Sequence, residues 1–182
     1  MTRKTITQLL AQVASTLPDN NARAITPEVL RTMLMDFLDS IKPAYGSLKT
    51  TVNRVINAGT AYVTLPWDSI GQQDVSEFIC DAANGTITAV RGGVLRMTAN
   101  FNFTADKDVI WTFGVFRNGL ITNVEIDVNA LGLANPNAVT FSFIEFNAPP
   151  GAVYALRLKA EAANKNITIT GGSMVAEYIV KQ

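Results

Sequence analysis

Glu125 and Asp127 stand two residues apart in a stretch of alternating polar and apolar character, which puts both carboxylates on one side of a strand. Paired carboxylates on one surface are what glycosidases use for general acid–base work. Here they fall on the polar side of a clean alternation just after a turn, where solvated surface accounts for them. Asp106 and Asp108 flank Lys107, but a calcium loop needs about six oxygen ligands and no further acidic run adjoins them. The chain has no histidine, so it lacks the usual base near neutral pH, the Ser-His and Cys-His nucleophile pairs and the commonest metal ligand. Cys80 is the single cysteine, lies in an apolar strand without a basic neighbour and reads as an inert core residue. The expectation is a non-enzymatic protein with no catalytic residue, metal or cofactor.

The remaining short motifs are equally bland. Gly92-Gly93 and Gly171-Gly172 precede strands rather than helices, so they lack the helix N-terminus that a phosphate cradle requires. Asn84-Gly-Thr, Asn102-Phe-Thr and Asn166-Ile-Thr match the glycosylation pattern, yet no secretory leader is visible and they read as turn and strand residues. Trp67, Asn118 and Asn135-Pro136-Asn137 are expected at loop tips, where recognition groups concentrate, and point to no particular ligand. Fifteen basic residues balance fifteen acidic ones, which argues against a nucleic-acid partner held by phosphate neutralisation. No apolar run approaches a membrane span, and no lysine-rich amphipathic face suggests a lipid surface. Hydrophobic residues make up 48% of the 182 and charged ones 16%, so some apolar surface is expected to be hidden against other subunits.

Two kinds of element must carry these residues. Ile6, Leu9, Leu10, Val13 and Leu17 follow a helical period up to the Pro18-Asp19-Asn20-Asn21 turn cluster. A second helix is announced by Thr26 as N-cap, Pro27 at the first position and Glu28 in the first turn. Its stripe is Val29, Leu30, Met33, Leu34, Phe37, Leu38 and Ile41, and Pro43 follows its end. A two-helix hairpin of this size cannot bury its own stripes, so symmetry mates, the rest of the chain or a larger structure must cover them, and the second stripe is the candidate contact surface.

After Tyr45 the period changes to two. Leu95, Met97, Ala99, Phe101 and Phe103 alternate with Arg96, Thr98, Asn100 and Asn102. Val109 to Arg117 continues in the same way, and Asn118-Gly119 is a strong hairpin signal leading into Leu120 to Val128. Further strands are expected at Ala61–Leu65, Val75–Cys80, Thr86–Val90, Val139–Phe146, Val153–Ala160, Asn166–Thr170 and Ser173–Val180. Short strands at this spacing without helices between them make a sandwich or barrel. Phe113, Val115 and Phe116, and Phe143, Ile144 and Phe146, put large apolar groups on both faces of a strand. Either a bulge or strand end covered by a loop or a subunit contact accounts for this, and Phe116 and Ile144 are the candidate subunit-interface residues.

The stretch "ITQLLAQVASTLPDNNARAITPEVLRTMLMDFLDSI", Ile6 to Ile41, resembles a short helical module near the N-termini of tailed-bacteriophage fibres and head-decorating proteins. The segments "GVLRMTANFNFT", "WTFGVFRNG" and "YALRLKAEAANKNITITGGSMVAEYI" resemble the jelly roll of the C1q and tumour-necrosis-factor type, which implies three subunits around a threefold axis. The expected protein is mainly β: a helical attachment or trimerisation module at 1–44, a linker at 45–59 and a jelly-roll knob at 60–182. The resemblances imply a homotrimeric capsid decoration or head fibre on the virion surface, bound to capsid or tail proteins. A tail-fibre knob that recognises a host glycan or protein is the second reading, and a carbohydrate-active enzyme the third.

Overall fold

The computed structural model describes Gln8, Ala11, Gln12, Ser15, Pro27–Ile41 and residues 43–181. Among the described residues the one continuous helix is α1 (Pro27–Ile41), with Pro27 as its first residue and Glu28 near its positive end; Gln8, Ala11, Gln12 and Ser15 are helical as isolated positions. The two-helix hairpin is thus corrected to a single helix among the described residues. The first expected stripe, Ile6 to Leu17, lies outside them, as do Thr26 and the Pro18–Asn21 turn.

Twelve strands follow: β1 (Tyr45–Thr50), β2 (Arg54–Ala58), β3 (Val63–Thr64), β4 (Ser69–Gln73), β5 (Phe78–Asp81), β6 (Thr86–Ala89), β7 (Gly93–Ala105), β8 (Ile110–Arg117), β9 (Leu120–Asn129), β10 (Asn137–Ala148), β11 (Ala152–Ala160) and β12 (Lys165–Lys181). They form two antiparallel sheets. One runs β10-β7-β12-β1-β4 with β2 also on β12; the other runs β5-β6-β11-β8-β9 with β3 also on β11. The sheets pack as a sandwich that matches a jelly roll, with alternate residues of each strand turned into one core. Phe101 and Phe103 on β7 meet Phe113 on β8 at ring-centroid distances of 4.7 and 5.4 Å, which ties the two layers together at their middle.

Glycine is required at specific points. Asn118 and Gly119 both take positive φ, 51° and 80°, as a two-residue hairpin turn demands. The Gly171-Gly172 pair lies inside β12, joining the two strands expected at 166–170 and 173–180 into one. A Cβ on Gly172 would stand 2.5 Å from both the Asn100 carbonyl oxygen and Phe101 Cβ of β7, so only glycine permits this approach.

The expected linker at 45–59 is also corrected. β1 lies between β12 and β4, β2 pairs with β12, and Leu48 of β1 is fully buried. The sandwich therefore begins at Tyr45, not near residue 60. Deleting a buried leucine alone costs about 2–5 kcal/mol, against the roughly 5–15 kcal/mol that holds a domain folded. A chain beginning at Pro43 should keep a cooperative, β-rich urea transition followed by circular dichroism, and one beginning at Asn57 should lose it.

Candidate functional site

The feature that sets this sandwich apart from a closed one is its β9/β10 side. Both strands end their sheets, and the Arg117–Glu145 ion pair, 3.1 Å between Nη1 and Oε1, links β8 to β10 across the gap between layers. On the far side β1 and β4 lie against β5. Residues that point inward along β9 and β10 should be covered like the rest of the core. Val124, Ile126, Val128, Phe141 and Phe143 pack on the core yet remain only half-buried, because no strand lies beyond them. On the outer faces of the same two strands Ile121 and Ile144 are exposed and Phe146 is 69% exposed, and Leu131 and Leu133 are exposed in the connection between the strands. An open apolar slot thus runs along one edge of the fold, beside backbone groups with no further strand to pair with.

Helix α1 offers a second apolar surface. Leu30, Leu34, Phe37 and Leu38 are 49–55% exposed and Met35 is 44% exposed. Val29 and Met33 are half-buried, and Asp36, one further turn along that row, is the buried side chain. The stripe expected to act as one surface is thus split: the Val29–Met33–Asp36 row is turned toward cover, and the leucines face outward. For Ile41 the structure describes backbone only. Among the described residues the helix has no extensive packing on any strand.

The two candidate interface residues lie on opposite sheets. Ile144 sits on the outer face of the β10 sheet, 44% exposed. Phe116 is on the outer face of the other sheet and is covered by its own chain: the Tyr62 ring meets it edge-on at 4.9 Å and the Arg157 guanidinium lies 4.4 Å above it. Glu125 belongs to the same surface. It accepts a hydrogen bond from the Tyr62 hydroxyl and lies 3.9 Å from Lys159 Nζ, which in turn stands 4.5 Å from the Tyr62 ring. Burial and the Glu125 contact together raise the Tyr62 pKa. Glu125 thus serves a charge-balanced clasp over Phe116, and Asp127 is an exposed neighbour on the same strand.

Of the loop-tip residues, Asn118 is exposed, whereas Trp67 and Asn137 are buried. Burial pushes the Cys80 thiol up to about 11, as suits a core residue. No group of three or more His, Cys, Asp or Glu gathers among the described residues. Phe141, Phe143, Val124, Ile126 and Val128 carry the open edge but were not legible as a site. Their alternation is that of any core strand, and only the order of strands reveals that β9 and β10 come last.

No family model and no curated protein matches the sequence. Solved structures do share its fold. Eiger TNF from S. frugiperda superposes with a TM-score of 0.58 at 11% identity over 77% of this chain and 93% of that one. Infectious bursal disease virus Gx strain (TM-score 0.48, 12% identity, 75% of this chain and 32% of that one) and the globular domain of zebrafish complement 1qA protein (0.48, 7%, 76% and 99%) are more distant. The likeness to Eiger TNF supports the tumour-necrosis-factor type of jelly roll as the fold of the sandwich.

If the clasp serves the chain's own fold, its loss should be felt in stability and not in assembly. Phe116→Ala should lower unfolding stability by about 3–5 kcal/mol, the usual range for a buried phenylalanine. Urea denaturation measures the loss, and sedimentation of the folded variant should give the same mass as the parent chain.

Proposed function

We propose that the protein is a non-enzymatic structural component of a tailed-bacteriophage virion, a homotrimeric knob that decorates the head or forms a short head fibre and is attached through helix α1. The observation that carries this reading is the pair of apolar surfaces left over by a fold that is otherwise complete: the open β9/β10 edge and the outward leucines of the helix. Fully covering a large apolar side chain contributes about 1.5–3 kcal/mol. The exposed groups on the edge can together offset the roughly 4–15 kcal/mol that association costs in lost freedom. A heterologous contact of this edge with a neighbouring copy closes into a ring, and three copies is the number that the resemblance to C1q and tumour-necrosis-factor jelly rolls implies. The Ile6–Ile41 resemblance to helical modules of phage fibres and decorating proteins supplies the virion context. With the edge used between copies, the helix is the surface left for the capsid.

The attachment claim separates cleanly from folding because the helix leucines are exposed. Leu34 and Leu38 lie four apart on one face. Replacing both by Asp should leave the circular dichroism and thermal transition of the knob unchanged. The same variant should fail to bind particles that lack the protein, a loss of at least tenfold in occupancy on sedimented particles. Normal occupancy would show that attachment runs through the sandwich.

A further inference from the structure

At the end of the sandwich where α1 joins β1, the β8–β9 turn and the facing stretch of β10 enclose a cleft of about 370 Å³, within the lower range of small-ligand sites. Arg117 and Glu145 meet across it through a single contact of 3.1 Å. That leaves other guanidinium N–H groups and carboxylate lone pairs for a ligand. Asn118 is fixed by its backbone N–H donating to the Val153 carbonyl at 2.8 Å and by its Oδ1 accepting from the Val153 N–H at 2.8 Å, which leaves its amide NH₂ to donate. Asn123 adds a second primary amide, and Leu120 and Ile121 form an apolar wall.

The chemistry of this lining selects among ligands. An anion would gain Arg117 and be repelled by Glu145, and a cation would meet the reverse. A nucleobase needs an aromatic face to stack on, and no aromatic ring lines the cleft. A purely apolar ligand would strand the amides and charges. A neutral ring bearing several hydroxyls matches all of it: each hydroxyl both donates and accepts, planar carboxylate, guanidinium and amide groups can bind neighbouring hydroxyls in pairs, and the C–H face of the ring can rest on Leu120 and Ile121.

We propose that this cleft binds a neutral sugar of about one ring, with Glu145, Arg117, Asn118 and Asn123 on its hydroxyls. None of its residues lies on α1, so the site does not depend on how the chain is attached; it does share Ile121 and the Arg117–Glu145 pair with the β9/β10 edge, so a sugar and a neighbouring copy compete for that end of the edge.

The test is saturation-transfer NMR on the full chain with glucose, galactose, mannose and N-acetylglucosamine at millimolar concentration. Transfer to at least one of the four is expected, reduced at least tenfold in affinity by Asn123→Ala, whose side chain is exposed and so leaves the fold intact. Glu145→Gln should weaken binding as well. If that variant unfolds, Asn123→Ala alone decides. Absence of transfer from all four sugars, or unchanged affinity in Asn123→Ala, overturns the proposal. Preference for glucose 6-phosphate over glucose would overturn the assignment of a neutral ligand.

Discussion

The pairing of β12 with β7 is the contact on which the rest of this fold hangs. It runs from Ile167 opposite Ala105 to Lys181 opposite Gly93, the whole length of the shorter strand. β1 and β2 attach to β12, and β10 attaches to β7, so one sheet is assembled outward from this pair. The inner residues of β7 then set the position of the second layer through the contact of Phe101 and Phe103 with Phe113. Gly172 is the narrowest point of the arrangement. Any side chain there would press on the Asn100 carbonyl and shift the register, and a shift of one residue would turn the core face of β12 outward.

An antiparallel sheet built this way has two ends, and they are treated differently. At the β4/β5 end, Phe78 stacks on Tyr178 at 4.7 Å and the buried Glu77 sits 3.4 Å from the Arg91 guanidinium. The Tyr178 hydroxyl donates to the Arg91 carbonyl at 2.5 Å and accepts from the Arg91 N–H at 3.0 Å. Burial raises that hydroxyl to about 12, so it stays protonated as a donor across the neutral range. At the β9/β10 end the layers are joined by the partly exposed Arg117–Glu145 pair, and the core residues beside it remain half-open. That asymmetry is what the proposed homotrimer would use: one edge is finished within the chain, and the other is open.

The strands were legible wherever alternation was long, as from Leu95 to Phe103, and so was the Asn118-Gly119 turn, because both signals are local. β1 reads as linker because Tyr45–Thr50 is short and covered on nearly every side: Gly46, Ser47, Leu48 and Thr50 are all buried, so no alternation shows. Gly171-Gly172 looked like a turn because the sequence does not reveal that another strand passes close by. The second apolar face at Phe116 pointed to a partner, but its cover comes from Tyr62 and Arg157, each about forty or more residues away in sequence. Phe146 and Ile144 are visible in the sequence as surplus apolar groups, yet whether their strand lies at an edge depends on which strands end the sheets. That is a property of the pairing order and is carried by no single segment.

The central claim is that the open edge is closed by further copies of the same chain. Sedimentation equilibrium of the full-length protein at micromolar concentration tests it most directly. The account requires the mass of three chains, falling to that of one when Phe146 and Ile144 are both replaced by Glu in a variant that keeps its circular dichroism. A parent chain that sediments as a monomer at that concentration would contradict it.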